Sequence, residues 1–307
     1  MTLLPFPEPN FDKHPDSESR PRRIPADEAG SGIALALGGG FSRGFAHLGV
    51  LEVLEREQIP ISAIVGTSIG ALLGAAYADG ISLRDLCDLG RRVRLRDFLR
   101  FYPSDPERSS DNKDCIGQFV QGWFRAGRLE QLLIPMAIVA TDLETGAPYV
   151  FSSGPLEPAI RASCAFPGLT KPVRHDGRLL GDGCIVSPVP TEVAARIYGG
   201  CVLGVSVSPN SARFSKPEDM VTVLDPGFRP SRRGESNPSW SRHADVLLEP
   251  EVHQIDWNDF SRVDEAFSAG ADAMRQALPS VRELLARRSK LQPSAGLSLP
   301  GEREVAL

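Results

Sequence analysis

Between Gly32 and Tyr77 the chain alternates apolar runs with glycine-rich breaks in an order that few folds accept. Gly32-Ile-Ala-Leu-Ala-Leu37 stops at Gly38-Gly39-Gly40. A short apolar run bounded by glycine reads as a strand buried on both faces. Ser42 to Glu55 then has helical spacing, with Phe45, Leu48, Leu51 and Leu54 on one face. Ser62-Ala-Ile-Val65 repeats the strand pattern, and Ile69 to Tyr77 forms a second apolar helix. Strand, glycine loop, helix, strand, serine turn, helix is two successive βα units. Such units predict an α/β fold with a mainly parallel central sheet and helices on its faces.

Further strands are predicted at Met136–Thr141, Tyr149–Phe151, Cys201–Ser206 and Asp245–Leu248. Helices are predicted at Glu157–Ser163, Thr191–Ile197 and Asp259–Arg287, the last with Pro279 as a kink or break. Residues 101–116, 208–243 and 289–307 read as irregular, the middle stretch being rich in Pro, Ser and Arg. The expected organisation is a disordered leader over 1–30, one domain over 31–288 and a flexible tail over 289–307. The longest apolar stretch, Ala63 to Ala78, is interrupted by Gly, Thr and Ser and reads as core rather than as a membrane span.

Charge and cysteine usage narrow the function classes. The net charge of −5 argues against general nucleic-acid binding. Five scattered cysteines without CxxC spacing fit a reducing compartment and a cytoplasmic location rather than a disulfide framework or a structural zinc site. The five histidines include no HxxxH or HExxH, so neither a metal site nor a cofactor is expected.

The serine turn is Val65-Gly66-Thr67-Ser68-Ile69-Gly70. Gly66-x-Ser68-x-Gly70 matches a nucleophile elbow, a sharp strand-to-helix turn that strains the serine backbone and leaves no room for side chains two residues to either side. The helix behind it points its N-terminal dipole at the serine, which favours developing negative charge. The bland alternative is a tight βα turn with an incidental serine.

A serine nucleophile needs oxyanion donors and a base. Gly38-Gly39-Gly40-Phe41-Ser42-Arg43-Gly44 lies between a strand and a helix, where backbone N–H groups can converge on an anion. Its Gly38-x-Gly40-x-x-x-Gly44 spacing also suits a dinucleotide loop, but the acidic residue expected after the next strand is replaced by the serine turn. For the base, Asp182 sits between glycines in Gly181-Asp182-Gly183 after the apolar pair Leu179-Leu180, although Asp-Gly is equally a turn pair. Asp142 is a rival at the end of another strand, where its Thr-Asp-Leu-Glu-Thr-Gly run also suits a capping turn. A serine–acid–histidine arrangement would draw on His243 or His253, late in the chain. His47 reads as a packed helix residue.

Taken together these blocks resemble the patatin-like phospholipases, in particular the bacterial proteins related to neuropathy target esterase. Leu35 to Leu51 resembles the family's oxyanion block, Val65 to Ala71 its nucleophile elbow, and Asp182-Gly183 the start of its Asp-Gly motif. Ala140 to Gly146 and Ile160 to Gly168 resemble two further blocks. The resemblance implies a three-layer α/β/α sandwich and a Ser68–Asp182 dyad without histidine. It also implies an oxyanion hole built from the loop of Gly38, Gly39, Gly40, Phe41, Arg43 and Gly44, with Gly66, Gly70 and Gly183 as motif glycines. Phe41 stands where many members have another glycine, and Cys184 where they have a small residue. Leu129–Leu133 runs almost directly into the next strand, where relatives carry more helix, and 208–243 lacks an expected apolar helix.

The implied substrates are phospholipids, lysophospholipids or other acyl-ester lipids. The alternative of another class is a catalytically weak lipid-binding or regulatory module on the same fold. Arg91 to Tyr102 interleaves arginines with Val, Leu, Phe and Tyr, which suits either peripheral contact at the inner membrane surface or a solvated helix face.

Overall fold

The computed structural model describes residues 32–93, 115–208 and 239–291. The expected leader, the tail beyond Leu291 and most of the stretches expected to be irregular lie outside these residues, as do Arg94 to Tyr102 of the basic segment.

The described residues build one eight-stranded sheet. Its strands are β1 (Ile33–Leu37), β2 (Ile61–Thr67), β3 (Met136–Asp142), β4 (Pro148–Phe151), β5 (Val173–His175), β6 (Arg178–Asp182), β7 (Cys201–Val205) and β8 (Val246–Leu248). The order is β5-β6-β3-β2-β1-β7-β8, with β4 also on β3. From β3 to β8 along this order every pairing is parallel, whereas the β3–β4, β3–β6 and β5–β6 pairings are antiparallel. The sheet is therefore mixed around a parallel centre, consistent with the α/β class.

The helices are α1 (Ala46–Arg56), α2 (Ile69–Ala78), α3 (Leu83–Arg92), α4 (Cys115–Trp123), α5 (Leu156–Ser163), α6 (Thr191–Ile197) and α7 (Val263–Leu291). Alternation along β1 shows how they divide between the two faces. Ile33, Leu35 and Leu37 join the large core under α1, α2 and α7, while Ala34 and Ala36 join a smaller cluster with Val65, Ala137, Val139, Val193 and Ala194. Successive side chains of a strand point to opposite faces, so bulky residues serve one layer and alanines serve the other. The small residues let α6 lie close to the sheet.

Several boundaries differ from expectation. The first helix begins at Ala46 because Phe41–Phe45 form a tighter 3-10 turn. Cys115 and Ile116 open α4 rather than ending a loop, Ser239–His243 form a 3-10 turn, and α7 continues to Leu291. Helix α7 also runs on through Pro279, with buried Leu278 and Val281 on either side seating it.

Candidate active site

The elbow is built by its neighbours. β2 ends at Thr67, opposite Val139 of β3, and α2 starts at Ile69. Between them Ser68 takes φ 53° and ψ −123°, a left-handed region that costs a non-glycine residue roughly 1–3 kcal/mol and persists only when its surroundings dictate it. They do so here. A Cβ on Gly66 would lie 2.4 Å from the Ala71 Cα, and one on Gly70 would lie 2.3 Å from the Leu37 carbonyl oxygen. The chain can turn this tightly only because both positions lack side chains. The Ser68 N–H donates to Ser163 Oγ at 2.9 Å, and that hydroxyl donates to the Val139 carbonyl at 2.6 Å.

Asp182 reaches the serine through strand register. β4 and β6 both pair with Ala140 and Thr141 of β3, so they occupy opposite edges of it. β2 and β4 both pair with Ile138 and Val139, so they are opposed too. β2 and β6 therefore lie end to end along one edge of β3, and their ends meet at Thr67 and Asp182. The Ser68 hydroxyl donates to Asp182 Oδ2 at 2.8 Å, and the Cys184 N–H donates to Oδ1 at 2.8 Å. The Asp182 N–H donates to the Ala165 carbonyl at 3.0 Å, and its own carbonyl accepts from Thr141 Oγ1 at 2.8 Å. The residue is fully buried. Burial pushes its carboxyl up to about 6 against the opposing bonds from the Cys184 N–H, the Ser68 hydroxyl and the Cys184 thiol. That places a carboxylate of raised basicity against a serine hydroxyl.

The glycine loop lies directly on this pair. A Cβ on Gly39 would sit 2.0 Å from Cys184 Sγ and 3.2 Å from Ser68 Cβ. Two of its N–H groups are already engaged: Gly38 donates to the Val205 carbonyl and Gly39 to the Pro188 carbonyl, both at 3.0 Å. Among the described residues the N–H groups of Gly40 and Phe41 meet no acceptor. Arg43 Nε donates to the Ile255 carbonyl at 2.6 Å, and the Ser42 hydroxyl shares its one proton between the carbonyls of Asp256 and Trp257, each 2.9 Å away. His47 Nε2 donates to the Gly38 carbonyl at 2.7 Å. Burial lowers that imidazole to about 4, so it is neutral and holds the loop. Gly44 packs on the Ile69 side chain, and Gly183 on the Val139 carbonyl and the Thr67 methyl.

A model of the patatin-like phospholipase family matches residues 35–195, more than half of the chain. The chain belongs to the patatin-like phospholipase family. Among similar proteins, an uncharacterized NTE family protein of Mycobacterium tuberculosis is 38% identical over 181 residues, covering 59% of this chain and 50% of that protein. Patatin-like phospholipase domain-containing protein 6 of Mus musculus is 30% identical over 208 residues, covering 64% of this chain and 15% of that protein. The chain thus spans about half the length of the mycobacterial relative. Among solved structures, VipD from Legionella pneumophila aligns with a TM-score of 0.47 at 15% identity, over 81% of this chain and 66% of that one.

The other candidates in this patatin-like chain fall away from the serine. Asp142 Oδ1 accepts the N–H groups of Glu144 and Thr145, and Oδ2 accepts Arg178 at 3.0 Å. Burial works against its charge, but these partners outweigh it and hold the carboxyl below its ordinary range. It is a turn cap in an ion pair, not a group of raised basicity. His243 is exposed, and His253 is exposed beside Glu251. Arg91 is exposed and paired with Asp88 and Asp264. Among the described residues no group of three His, Cys, Asp or Glu is placed to hold a metal ion. Sequence reading gave no role to Ser163, Thr141 or the Cys184 N–H; Ser163 sat inside the Ile160–Gly168 block, but nothing in the block says what its hydroxyl touches.

Proposed function

We propose that this chain is a serine acyl hydrolase that cleaves acyl esters of lipids, phospholipids and lysophospholipids being the leading class. The observation that carries the reading is the 2.8 Å bond from the Ser68 hydroxyl to a fully buried Asp182. The acyl carbonyl carbon would sit beside Ser68 Oγ, with its oxygen toward the N–H groups of Gly40 and Phe41. Asp182 takes the serine proton as Oγ attacks, and the two N–H groups hold the oxyanion of the tetrahedral intermediate. Asp182 passes that proton to the departing alcohol, leaving an acyl-serine. Water then attacks the acyl carbonyl with Asp182 again accepting the proton, and Ser68 regains it as the fatty acid leaves. Because Asp182 contacts Ser68 directly, the cycle needs no histidine.

The oxyanion role is thus narrower than the whole glycine loop. Gly38, Gly39, Arg43 and Gly44 shape and fasten the loop, while Gly40 and Phe41 supply its donors. Among the described residues no helix is long and apolar enough to cross a membrane.

The test is covalent labelling with a fluorophosphonate probe, mapped by peptide mass spectrometry, beside Ser68→Ala and Asp182→Asn. Label on Ser68 that disappears in Asp182→Asn is the expected result. A folded wild type that takes no label but retains lipid would favour the binding-module alternative.

A further inference from the structure

Phe41 carries a bulky side chain at a backbone position that favours glycine. Its φ is 52°, and a large residue there is a genuine outlier. The other non-glycine residues with positive φ among those described are Gln58 and Asp176, both exposed, and Ser68 itself. Phe41 and Ser68 are thus two strained residues, one in the glycine loop and one in the turn that Gly39 of that loop packs against.

What holds Phe41 is aromatic. Its ring meets Phe166 edge to face, with centroids 5.1 Å apart and planes at 75°, and meets Trp257 at 5.0 Å and 68°. Such pairs are favourable beyond the area they bury. Both partners come from segments already fastened to the site. Phe166 follows Ala165, whose carbonyl accepts the Asp182 N–H. The Trp257 carbonyl accepts the Ser42 N–H at 3.1 Å and the Ser42 hydroxyl at 2.9 Å, and Arg43 holds the Ile255 carbonyl. Ring and backbone contacts from 255–257 therefore seize three consecutive residues of the loop.

We propose that Trp257, with Phe166, clamps Phe41 in its left-handed conformation and so fixes the Gly40 and Phe41 N–H groups as oxyanion donors before substrate arrives. Trp257 is then a positioning residue. This rests on the serine hydrolase reading above. A glycine at position 41 would wander between both signs of φ; a clamped phenylalanine keeps one. Donors that need no rearrangement during the reaction contribute most to the rate.

A double-mutant cycle on hydrolysis of p-nitrophenyl butyrate tests this. Trp257→Ala should lower kcat by about 10-fold or more with KM little changed, since losing one oxyanion donor outright costs roughly 100- to 1,000-fold. Trp257→Phe, which keeps a ring, should restore most of the rate. In a Phe41→Gly background the same Trp257→Ala change should cost under about twofold, because glycine takes positive φ unaided. An unchanged kcat in Trp257→Ala, or an equal loss in both backgrounds, would overturn the clamp. Should Trp257→Ala fail to fold, Phe41→Ala and Phe41→Gly make the same comparison. Both lack the ring but only glycine tolerates the backbone, so equal rates would overturn the proposal. Turnover that persists in Ser68→Ala would instead overturn the hydrolase reading, and the clamp with it.

Discussion

Thr67 and Asp182 occupy consecutive places along one edge of β3, Thr67 opposite Val139 and Asp182 opposite Ala140. A parallel strand arriving from one side and an antiparallel strand arriving from the other stop against each other. Ser68, the proposed nucleophile, is the residue just past the first stop. A 114-residue separation in sequence thereby becomes a 2.8 Å hydrogen bond.

Asp182 must be ionised to accept the serine proton, so kcat/KM should fall about tenfold per pH unit below its pKa of about 6. A pH–rate profile on a soluble acyl ester checks this. A limb near pH 4 would mean that the carboxylate is not desolvated in the working enzyme.

The same burial has a stability consequence. The folded carboxyl keeps its proton to about pH 6, while the unfolded one releases it near the ordinary 3.8. Between these values the folded state binds more protons, so rising pH lowers stability, and above about pH 6 the loss is complete. Asp182→Asn removes the titration. It should therefore gain on the order of 2–3 kcal/mol over wild type at pH 8, with the advantage vanishing below about pH 4. Urea unfolding at the two pH values measures it; a variant less stable at pH 8 would contradict it.

Gly39→Ala should place a methyl 2.0 Å from Cys184 Sγ and 3.2 Å from Ser68 Cβ. The loop must lift off the serine, and activity should drop by about 100-fold or more, comparable to loss of an oxyanion donor. Since the worst clash is with sulfur, adding Cys184→Gly should recover part of the rate. No recovery in the double variant would show that contact with Ser68 Cβ is what matters.

Ser163→Ala leaves the Ser68 N–H and the Val139 carbonyl without their partner. A buried group stranded in this way costs about 1–3 kcal/mol. Here the cost falls on a strained residue, so kcat should decline along with thermal stability. Ser163→Thr, which keeps the hydroxyl, should retain more of both.

His243→Ala and His253→Ala should leave turnover within about twofold of wild type, since surface changes away from a site rarely matter. A large loss in either would revive a serine–acid–histidine arrangement.

The parts of the fold that could be read in advance are those where one pattern dominates. β1 is apolar throughout and β2 is buried throughout, and the glycines around Ser68 mark a turn too tight for side chains at those positions. The β5–β6 hairpin went unassigned because its strands are short and half-buried, with Arg174, His175 and Arg178 among their residues. Its turn did carry a signal: Asp176-Gly177, both at positive φ (47° and 76°), is a two-residue hairpin pair. Helix α3 was likewise missed, though Ser82 caps it by accepting the Asp85 N–H. Asp182 could be named as base, but only long-range pairing puts it beside Ser68. Nor can sequence tell which loop N–H groups are free, because the acceptors for Gly38 and Gly39 come from Val205 and Pro188.

One stretch, Asp182 to Pro190, touches every working part. It holds the Asp182 carboxyl, and its Ser187 carbonyl accepts from Thr67 Oγ1 beside Ser68. Its Pro188 carbonyl accepts from Gly39 in the anion loop, and it then enters α6 at Thr191. Asp182, Ser68 and the glycine loop are thus tied to a single strap. A displacement of the strap would be felt by all three at once. Divergence in what such a chain accepts is accordingly expected in surfaces that touch neither the strap nor the Ser163, Phe166 and Trp257 contacts to the serine and its loop.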